Sequence, residues 1–226
     1  MAKARSCGRA WAVCGAALLL LRAAGAQEGN AAALLQAVAE VYRQDRAMRI
    51  EFPSRLEVDG HPAPDRIRMR LESRPPQQLC LTSEPTPEGD RTTMCTDGVS
   101  VWQTYDRGTK PDRRWEPAEL AGEANPLSFL RNQWRRYHGR FAALDQAELM
   151  SAEVKRRRLT LDGRRRECAV VRIRAPEARH PGTSWEELWI DLETRRVLRS
   201  DLHQRRPGST VFGVRIVEYT AIETLP

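Results

Sequence analysis

The spacing of apolar residues along the chain predicts two helical segments separated and followed by strands. The first segment begins at Asn30, a residue type that caps helix N-termini, and runs to about Arg43. Its apolar residues recur at the 3.6-residue spacing of a helix with one buried face; they are Leu34, Val38, Val41 and Tyr42. This spacing predicts an amphipathic helix that packs against the rest of the molecule.

From residue 47 the period of the pattern changes to two. Ile67, Met69 and Leu71 alternate with charged residues, which is typical of a strand with one face buried. Short β-prone runs continue between turn dipeptides such as Asp97-Gly98 and Asp162-Gly163. About eleven strands at regular spacing predict a single antiparallel sheet in one domain spanning residues 27–226.

A second helical segment interrupts the strands. Asn125 is a capping residue and Pro126 suits the first helical position. One apolar stripe follows, formed by Leu127, Leu130, Trp134, Tyr137 and Phe141. An antiparallel sheet of this size curls, and we expect the segments 30–45 and 117–150 to cover its concave face. The predicted fold class is therefore α+β, mainly β, with one curved antiparallel sheet.

Residues 1–26 have the build of a secretory signal peptide. Lys3, Arg5 and Arg9 precede an apolar stretch from Trp11 to Leu21, and the small residues 24–26 end the segment before Gln27. The apolar stretch is too short to span a bilayer, which disfavours the alternative, a membrane anchor. We expect the mature chain to be exported and soluble.

The net charge of +7 depends largely on that N-terminal segment. It carries four of the 37 basic residues and no acid, so 33 basic residues remain against 30 acidic ones. The remaining bases are spread along the chain, which argues against a surface that follows nucleic-acid phosphates.

Three cysteines remain after the signal segment: Cys80, Cys95 and Cys168. Cys80 and Cys95 lie in two β-prone runs at nearly equal distances from the intervening turn segment 83–90, so an exported protein can join them across a hairpin. The alternative is two buried free thiols. Cys168 lies within an apolar strand pattern and is predicted to be a core residue rather than a nucleophile.

Candidate catalytic groups are sparse. The histidines stand apart in the sequence, without metal-ligand spacing to one another or to a cysteine; they are His61, His138, His180 and His203. No nucleophile elbow, phosphate loop or dinucleotide motif is present in the sequence. We predict a protein that is not an enzyme and that needs no metal or cofactor.

Large aromatic residues suggest another role. Trp102, Trp134 and Trp189 lie in predicted strands or in the helical insertion. They can fill the core, or they can line a cavity between sheet and helices that holds an apolar ligand. For the second case we predict that Trp102 and Trp189 face the concave side, near Phe129 and Leu130.

Several short motifs in a fixed order carry a resemblance to a known family. They are Arg74-Pro75, Asp97-Gly98 followed by Trp102, Asn125-Pro126 with Phe129-Leu130, the strand pair 187–199, and the terminal run 217–222. In this order, behind a signal peptide, they resemble the periplasmic outer-membrane lipoprotein carriers, the LolA-like proteins. The resemblance covers nearly all of the mature chain.

The resemblance implies a half-barrel of eleven strands, closed by helices, with an apolar cavity for the acyl chains of lipoproteins or other lipids. It assigns Arg74 to the cavity, where it would hold the lid formed by residues 117–150 through hydrogen bonds to backbone carbonyls. The predicted cavity residues are Arg74, Trp102, Phe129, Leu130, Trp134 and Trp189. The implied protein is a monomer of the Gram-negative periplasm, with an inner-membrane transporter and an outer-membrane receptor as partners and no bound nucleic acid.

The sequence departs from the family pattern in three places. The hairpin that carries Cys80 and Cys95 is long, the chain ends close to the last strand, and basic runs at 156–158 and 164–166 flank one turn. These runs form a solvated hairpin or contact an acidic partner or anionic headgroups. The alternative function is an envelope-stress regulator that binds lipoproteins and an anti-sigma partner, although such regulators usually add a second domain after the last strand.

Overall fold

The structure is a computed structural model. It describes residues 30–45, 47–74, 77–85, 90–108, 110–122, 125–175, 184–205 and 212–225. The predicted signal peptide lies outside the described residues. So do two further segments, 180–182 and 207–209, for which proline and glycine predict turns between strands.

Within the described residues, twelve antiparallel strands form one sheet. The strands are β1 (Met48–Val58), β2 (His61–Arg74), β3 (Gln78–Pro85), β4 (Thr92–Thr96), β5 (Val101–Tyr105), β6 (Arg113–Trp115), β7 (Lys155–Leu161), β8 (Arg164–Arg174), β9 (Ser184–Asp191), β10 (Val197–Arg205), β11 (Phe212–Glu218) and β12 (Ala221–Thr224). Across the sheet their order is β6-β5-β4-β3-β2-β1-β11-β10-β9-β8-β7, and β12 pairs with β1. Strands β1 to β6 form one meander and strands β7 to β11 form a second one. The two meanders join where β1, near the start of the chain, pairs with β11, near its end.

Two helices and three shorter helical turns cover the concave face of this sheet in the described part of the chain. They are α1 (Ala31–Gln44), a 3₁₀ turn (Pro117–Leu120), α2 (Pro126–Trp134), a π-helical turn (Arg135–Gly139) and a 3₁₀ segment (Phe141–Gln146). Both predicted caps are confirmed: the Asn30 side chain accepts from the backbone of Ala32 at 3.0 Å, and Asn125 accepts from Ser128 at 2.8 Å. The α+β architecture predicted from the sequence is confirmed.

The second helical segment differs from the single stripe predicted over 127–141. After Trp134 the backbone forms a π-helical turn, and then a tighter 3₁₀ segment follows. A π-helical turn rotates the residues that follow it relative to a regular helix. Tyr137 and Phe141 still reach the core, with ring centroids 4.3 Å from that of Phe52 and 5.1 Å from that of Tyr42, respectively.

The strand alternation assigns side chains to two faces. On the concave face, Ile50 and Phe52 of β1 stand opposite Leu71 and Met69 of β2, and the buried side chains join those of α1 in one core cluster. On the convex face a smaller cluster contains Leu159, Cys168, Val170 and Trp189. The two faces therefore have separate apolar clusters of very different size.

The predicted disulfide between Cys80 and Cys95 is confirmed. The two residues are directly opposite each other on β3 and β4, with their Cα atoms 4.1 Å apart. Their neighbours Leu79, Leu81 and Met94 belong to or pack against the concave core. Because side chains alternate along a strand, the disulfide lies on the convex face.

Candidate functional site

A cavity of about 630 Å³ lies between the sheet and α2. We call it the large cavity. Its apolar walls come from alternate residues of β2, β3 and β4 and from the helical cover; these residues are Ile67, Met69, Leu81, Met94, Phe129 and Tyr137. Its polar walls include Ser54, Ser83, Thr92, Gln103 and Gln133.

Apolar side chains at the rim of the large cavity are exposed. Phe129 of α2 is 45% exposed and Ile67 of β2 is 42% exposed. Leu56, on the neighbouring strand β1, is 43% exposed. Two walls of the cavity thus end in apolar surface that has no cover among the described residues, as expected at an entrance for an apolar ligand.

Charged groups of both signs also line the large cavity. Arg215 enters from β11 of the sheet, Arg136 enters from the helical cover, and Asp90 lies before β4. Asp90 accepts a hydrogen bond from the backbone of Arg107 at 2.8 Å. An amphiphile could therefore bury its apolar part against the methionines while its polar part meets the arginines.

A second, smaller cavity of about 400 Å³ lies under the 3₁₀ segment, beside β8 and β9. Here Arg140 of the cover forms a two-pronged ion pair with Glu186 of β9, with nitrogen–oxygen distances of 3.0 and 2.8 Å. The guanidinium also donates to Ser200 and to Tyr219, and the Ser200 hydroxyl donates to Glu186. The two terminal nitrogens of Arg140 thus find partners within this small cavity, while its Nε atom has no hydrogen-bond partner.

Electrostatics reflect this arrangement. Burial alone would lower the pKa of Arg140, but the Glu186 carboxylate and the Tyr219 hydroxyl outweigh burial and hold that pKa above its ordinary value. Burial raises the pKa of Tyr219 to about 12 although Arg140 opposes the change. Arg140 therefore remains a cation, and Tyr219 keeps its proton, over the physiological pH range.

The predicted cavity residues are divided between several environments. Phe129 lines the large cavity. Leu130 is fully buried in the core. Trp134 packs against that core, and its ring stacks on that of His138 with the ring centroids 4.2 Å apart. Binding roles for these three residues stay predictions.

The prediction that Trp102 and Trp189 face the concave side is wrong. Trp102 follows Val101, a buried member of the concave core, so the Trp102 indole lies on the convex face, opposite Cys95 in the strand register. Trp189 belongs to the convex cluster, and its indole nitrogen donates to Asp201 at 3.3 Å. Strand periodicity predicts which residues share a face, but not which face the helices cover.

Arg74 lies at the last position of β2, opposite Gln78 of β3, and it is exposed. Its proposed hydrogen bonds to the carbonyls of the helical cover stay a prediction. Among the ionic contacts that the structure does show between the sheet and segment 117–150 are those of Arg140 with Glu186 and of Arg174 with Glu148.

Two further groups were considered as catalytic or metal-binding candidates: the Cys168 thiol and a cluster of two carboxylates and a histidine on the convex face. Burial raises the pKa of the Cys168 thiol to about 11, so this thiol stays protonated at neutral pH and gives no support to a nucleophilic role. Glu187, Asp201 and His203 of the convex face lie with their ligand atoms within 4.8 Å of one another. Both carboxylates already bind guanidinium groups, Glu187 that of Arg172 at 2.6 Å and Asp201 that of Arg199 at 2.7 Å. This arrangement suits ion pairing more than cation binding.

Sequence reasoning missed the residues that line most of the large cavity. The alternation of apolar and charged residues predicts a half-buried strand at Met69 but no site, and none of the motifs above includes Arg215. A signal for Arg215 does exist, because it is the only charge in the run 211–217 of otherwise apolar residues and glycine. A lone charge on a buried strand face is a functional candidate.

The fold is similar to several solved structures. A LolA superfamily protein from Nitrosomonas europaea is 12% identical, with a TM-score of 0.32 over 87% of this chain and 94% of that one. LprF from Mycobacterium bovis is 12% identical, with a TM-score of 0.47 over 86% and 95%. MucB in the Pseudomonas aeruginosa MucA/MucB complex is 15% identical, with a TM-score of 0.38 over 85% of this chain and 56% of that one.

No family model and no curated protein matches the sequence. With identities of at most 15% and TM-scores below 0.5, the three structural matches carry no conclusion about what this chain binds. Among the described residues, no helix combines the length and the apolar character required to cross a membrane.

Proposed function

We propose that this protein is an exported carrier that holds the acyl chain of a lipoprotein or another lipid in the large cavity. Its place of action would be the periplasm, reached through the signal peptide, and its task would be to move cargo toward the outer membrane. The observation that carries the proposal is the large cavity itself, together with the exposed apolar residues at its rim.

The size and lining of the cavity support an acyl ligand. Its volume of about 630 Å³ falls within the range of roughly 300–1,000 Å³ typical of ligand pockets. Two of its wall residues, Met69 and Met94, have unbranched side chains that adapt to ligands of differing shape. Each methylene group buried there would contribute about 0.8 kcal/mol to binding.

The helical cover would act as a lid attached at one end. Arg140 ties the C-terminal part of the cover to Glu186 of the sheet, and Arg43 of α1 binds Asp145 at 2.5 Å. Phe129, near the start of α2, lies instead at the rim of the large cavity. Displacement of α2 would widen the entrance while the far end of the cover stays in place.

A fluorescent acyl probe tests the cavity. Phe129→Asp places a charge on an exposed cavity wall, and we expect it to weaken probe binding strongly because a carboxylate cannot be buried beside an alkyl chain. Met150→Asp is the matched control, since Met150 is 46% exposed and Phe129 45%. Equal binding by the wild type and by Phe129→Asp would reject this cavity as the site.

The predicted latch at Arg74 needs a different assay. If Arg74 closes the lid, Arg74→Leu should keep bound lipopeptide and transfer it poorly to acceptor vesicles, with Arg74→Lys between the two because lysine lacks the fork geometry. Arg70→Leu, on the same strand, is the control. Equal transfer by wild type and Arg74→Leu would show that Arg74 is not the latch.

A further inference from the structure

Arginines on the two faces of the sheet have different neighbours. On the convex face, arginines stand beside carboxylates on neighbouring strands: Arg49 binds Glu72 at 2.8 Å and Arg70 binds Glu51 at 2.7 Å. Cross-strand pairs of opposite charge stabilise a sheet. An arginine that lacks such a neighbour on the concave face therefore needs a separate explanation.

Arg215 is such a residue. Its neighbours in the strand register are Leu56 of β1 on one side and Leu202 of β10 on the other. Its Nε atom is buried without a hydrogen-bond partner, and among the described residues no carboxylate forms an ion pair with its guanidinium. A buried polar atom of a cation that is left without a partner is costly, because it has lost its water without replacement.

The position of Arg215 connects this charge to the large cavity. Arg215 lines that cavity together with Met69, Phe129 and Tyr137, and Arg136 lines it from the cover. Leu56 and Leu202 flank Arg215 in the strand register, and the Arg215 side chain lines the cavity that a ligand would enter.

We propose that Arg215 binds the anionic head group of the cargo, so that the ligand of the large cavity is an amphiphile with a carboxylate or a phosphate next to its alkyl chain. This inference rests on the proposed function and narrows it, since a neutral acyl chain would leave Arg215 without a counter-charge. A guanidinium binds both head groups through paired hydrogen bonds. The apolar walls beyond it select the alkyl chain.

The test compares palmitate with its methyl ester, which has the same chain and no charge. Hydrogen bonds to charged groups predict that the wild type binds palmitate roughly tenfold to a hundredfold more tightly than the ester. Arg215→Met should lose this preference while it still binds the ester. Arg215→Lys should keep part of the preference, and Arg70→Met, on the convex face, should keep all of it.

Further competitors identify the source of the anion. Lysophosphatidylglycerol and palmitate should each displace the probe, and their relative affinities show whether phosphate or carboxylate is preferred. Inorganic phosphate and acetate should not displace it, because they lack the alkyl chain. Displacement by inorganic phosphate as effective as that by palmitate would overturn the proposal, since the site would then bind anions without regard to an alkyl chain.

The remaining outcomes separate this inference from the proposed function. If the wild type binds palmitate and its ester equally well, the acyl cavity stands and the role of Arg215 is rejected. If Arg215→Met keeps the wild-type preference, another cation holds the head group and the inference is likewise rejected. If neither ligand binds, the proposed function itself fails.

Discussion

Arg140 of the helical cover and Arg215 of β11 both lie between cover and sheet, but they differ in their partners. Arg140 meets Glu186, Ser200 and Tyr219, which together satisfy most of its donors. Arg215 meets Leu56 and Leu202 across the strands. In the small cavity the charge therefore holds cover and sheet together, whereas we propose that the charge in the large cavity serves a ligand.

The largest expected effect concerns the paired arginine. Arg140→Met leaves Glu186, which is 1% exposed, as a buried carboxylate without its cation, and we expect a loss of about 3–5 kcal/mol in the free energy of unfolding. Urea denaturation measures it. Arg215→Met should change stability by less than about 1 kcal/mol, because no carboxylate loses its partner. Similar losses in the two variants would remove the contrast between the two cavities.

The disulfide provides a test on the opposite face. Opening Cys80–Cys95, which are 15 residues apart, should lower stability by about 3 kcal/mol through the greater entropy of the unfolded chain. Because the disulfide lies on the convex face, the Cys80→Ala/Cys95→Ala variant should still bind the acyl probe with wild-type affinity under conditions where it is folded. A marked loss of affinity in the folded variant would mean that the convex face contributes to the site.

His138 allows a test of how burial changes the pKa of an imidazole in the core. Burial lowers its pKa from 6.5 to about 4, with Asp45 opposing and Arg196 adding to the change. The unfolded chain therefore binds more protons below pH 6.5, and stability should fall as the pH drops from 6.5 toward 4. At pH 5 this residue should account for about 2 kcal/mol of the loss.

The variant His138→Phe isolates this contribution, because phenylalanine keeps a ring against Trp134 and Tyr42 but cannot take up a proton. The difference in unfolding free energy between the two proteins should change by about 2 kcal/mol between pH 7 and pH 5. A constant difference over that range would show that His138 titrates normally in the folded protein.

The smallest expected effect is spectroscopic. Since Trp102 and Trp189 lie on the convex face, Trp102→Phe and Trp189→Phe should reduce tryptophan emission without removing the change that an acyl probe causes. Trp134, in the helical cover, is the residue whose replacement by phenylalanine should diminish that change. Loss of the change in Trp102→Phe would indicate that the ligand reaches the convex face.

The sequence by itself determined the elements of this fold and several local contacts. Asn30 and Asn125 marked both helix starts, because their side chains can accept the backbone hydrogen bonds that a helix leaves open. Positions of Cys80 and Cys95 about a turn indicated the disulfide. These features depend on residues that are near one another in the chain, so that spacing alone describes their geometry.

Only the tertiary structure decided which charges are satisfied and which aromatic residues meet the cavity. Arg140 finds Glu186 46 residues away, and Leu56 becomes a neighbour of Arg215 only because β1 pairs with β11. The two-residue period of a strand predicts that Val101 and Trp102 face opposite sides of the sheet. It does not predict which side the helices cover. The register between distant strands supplies that information, and it is fixed by the packing of the whole sheet.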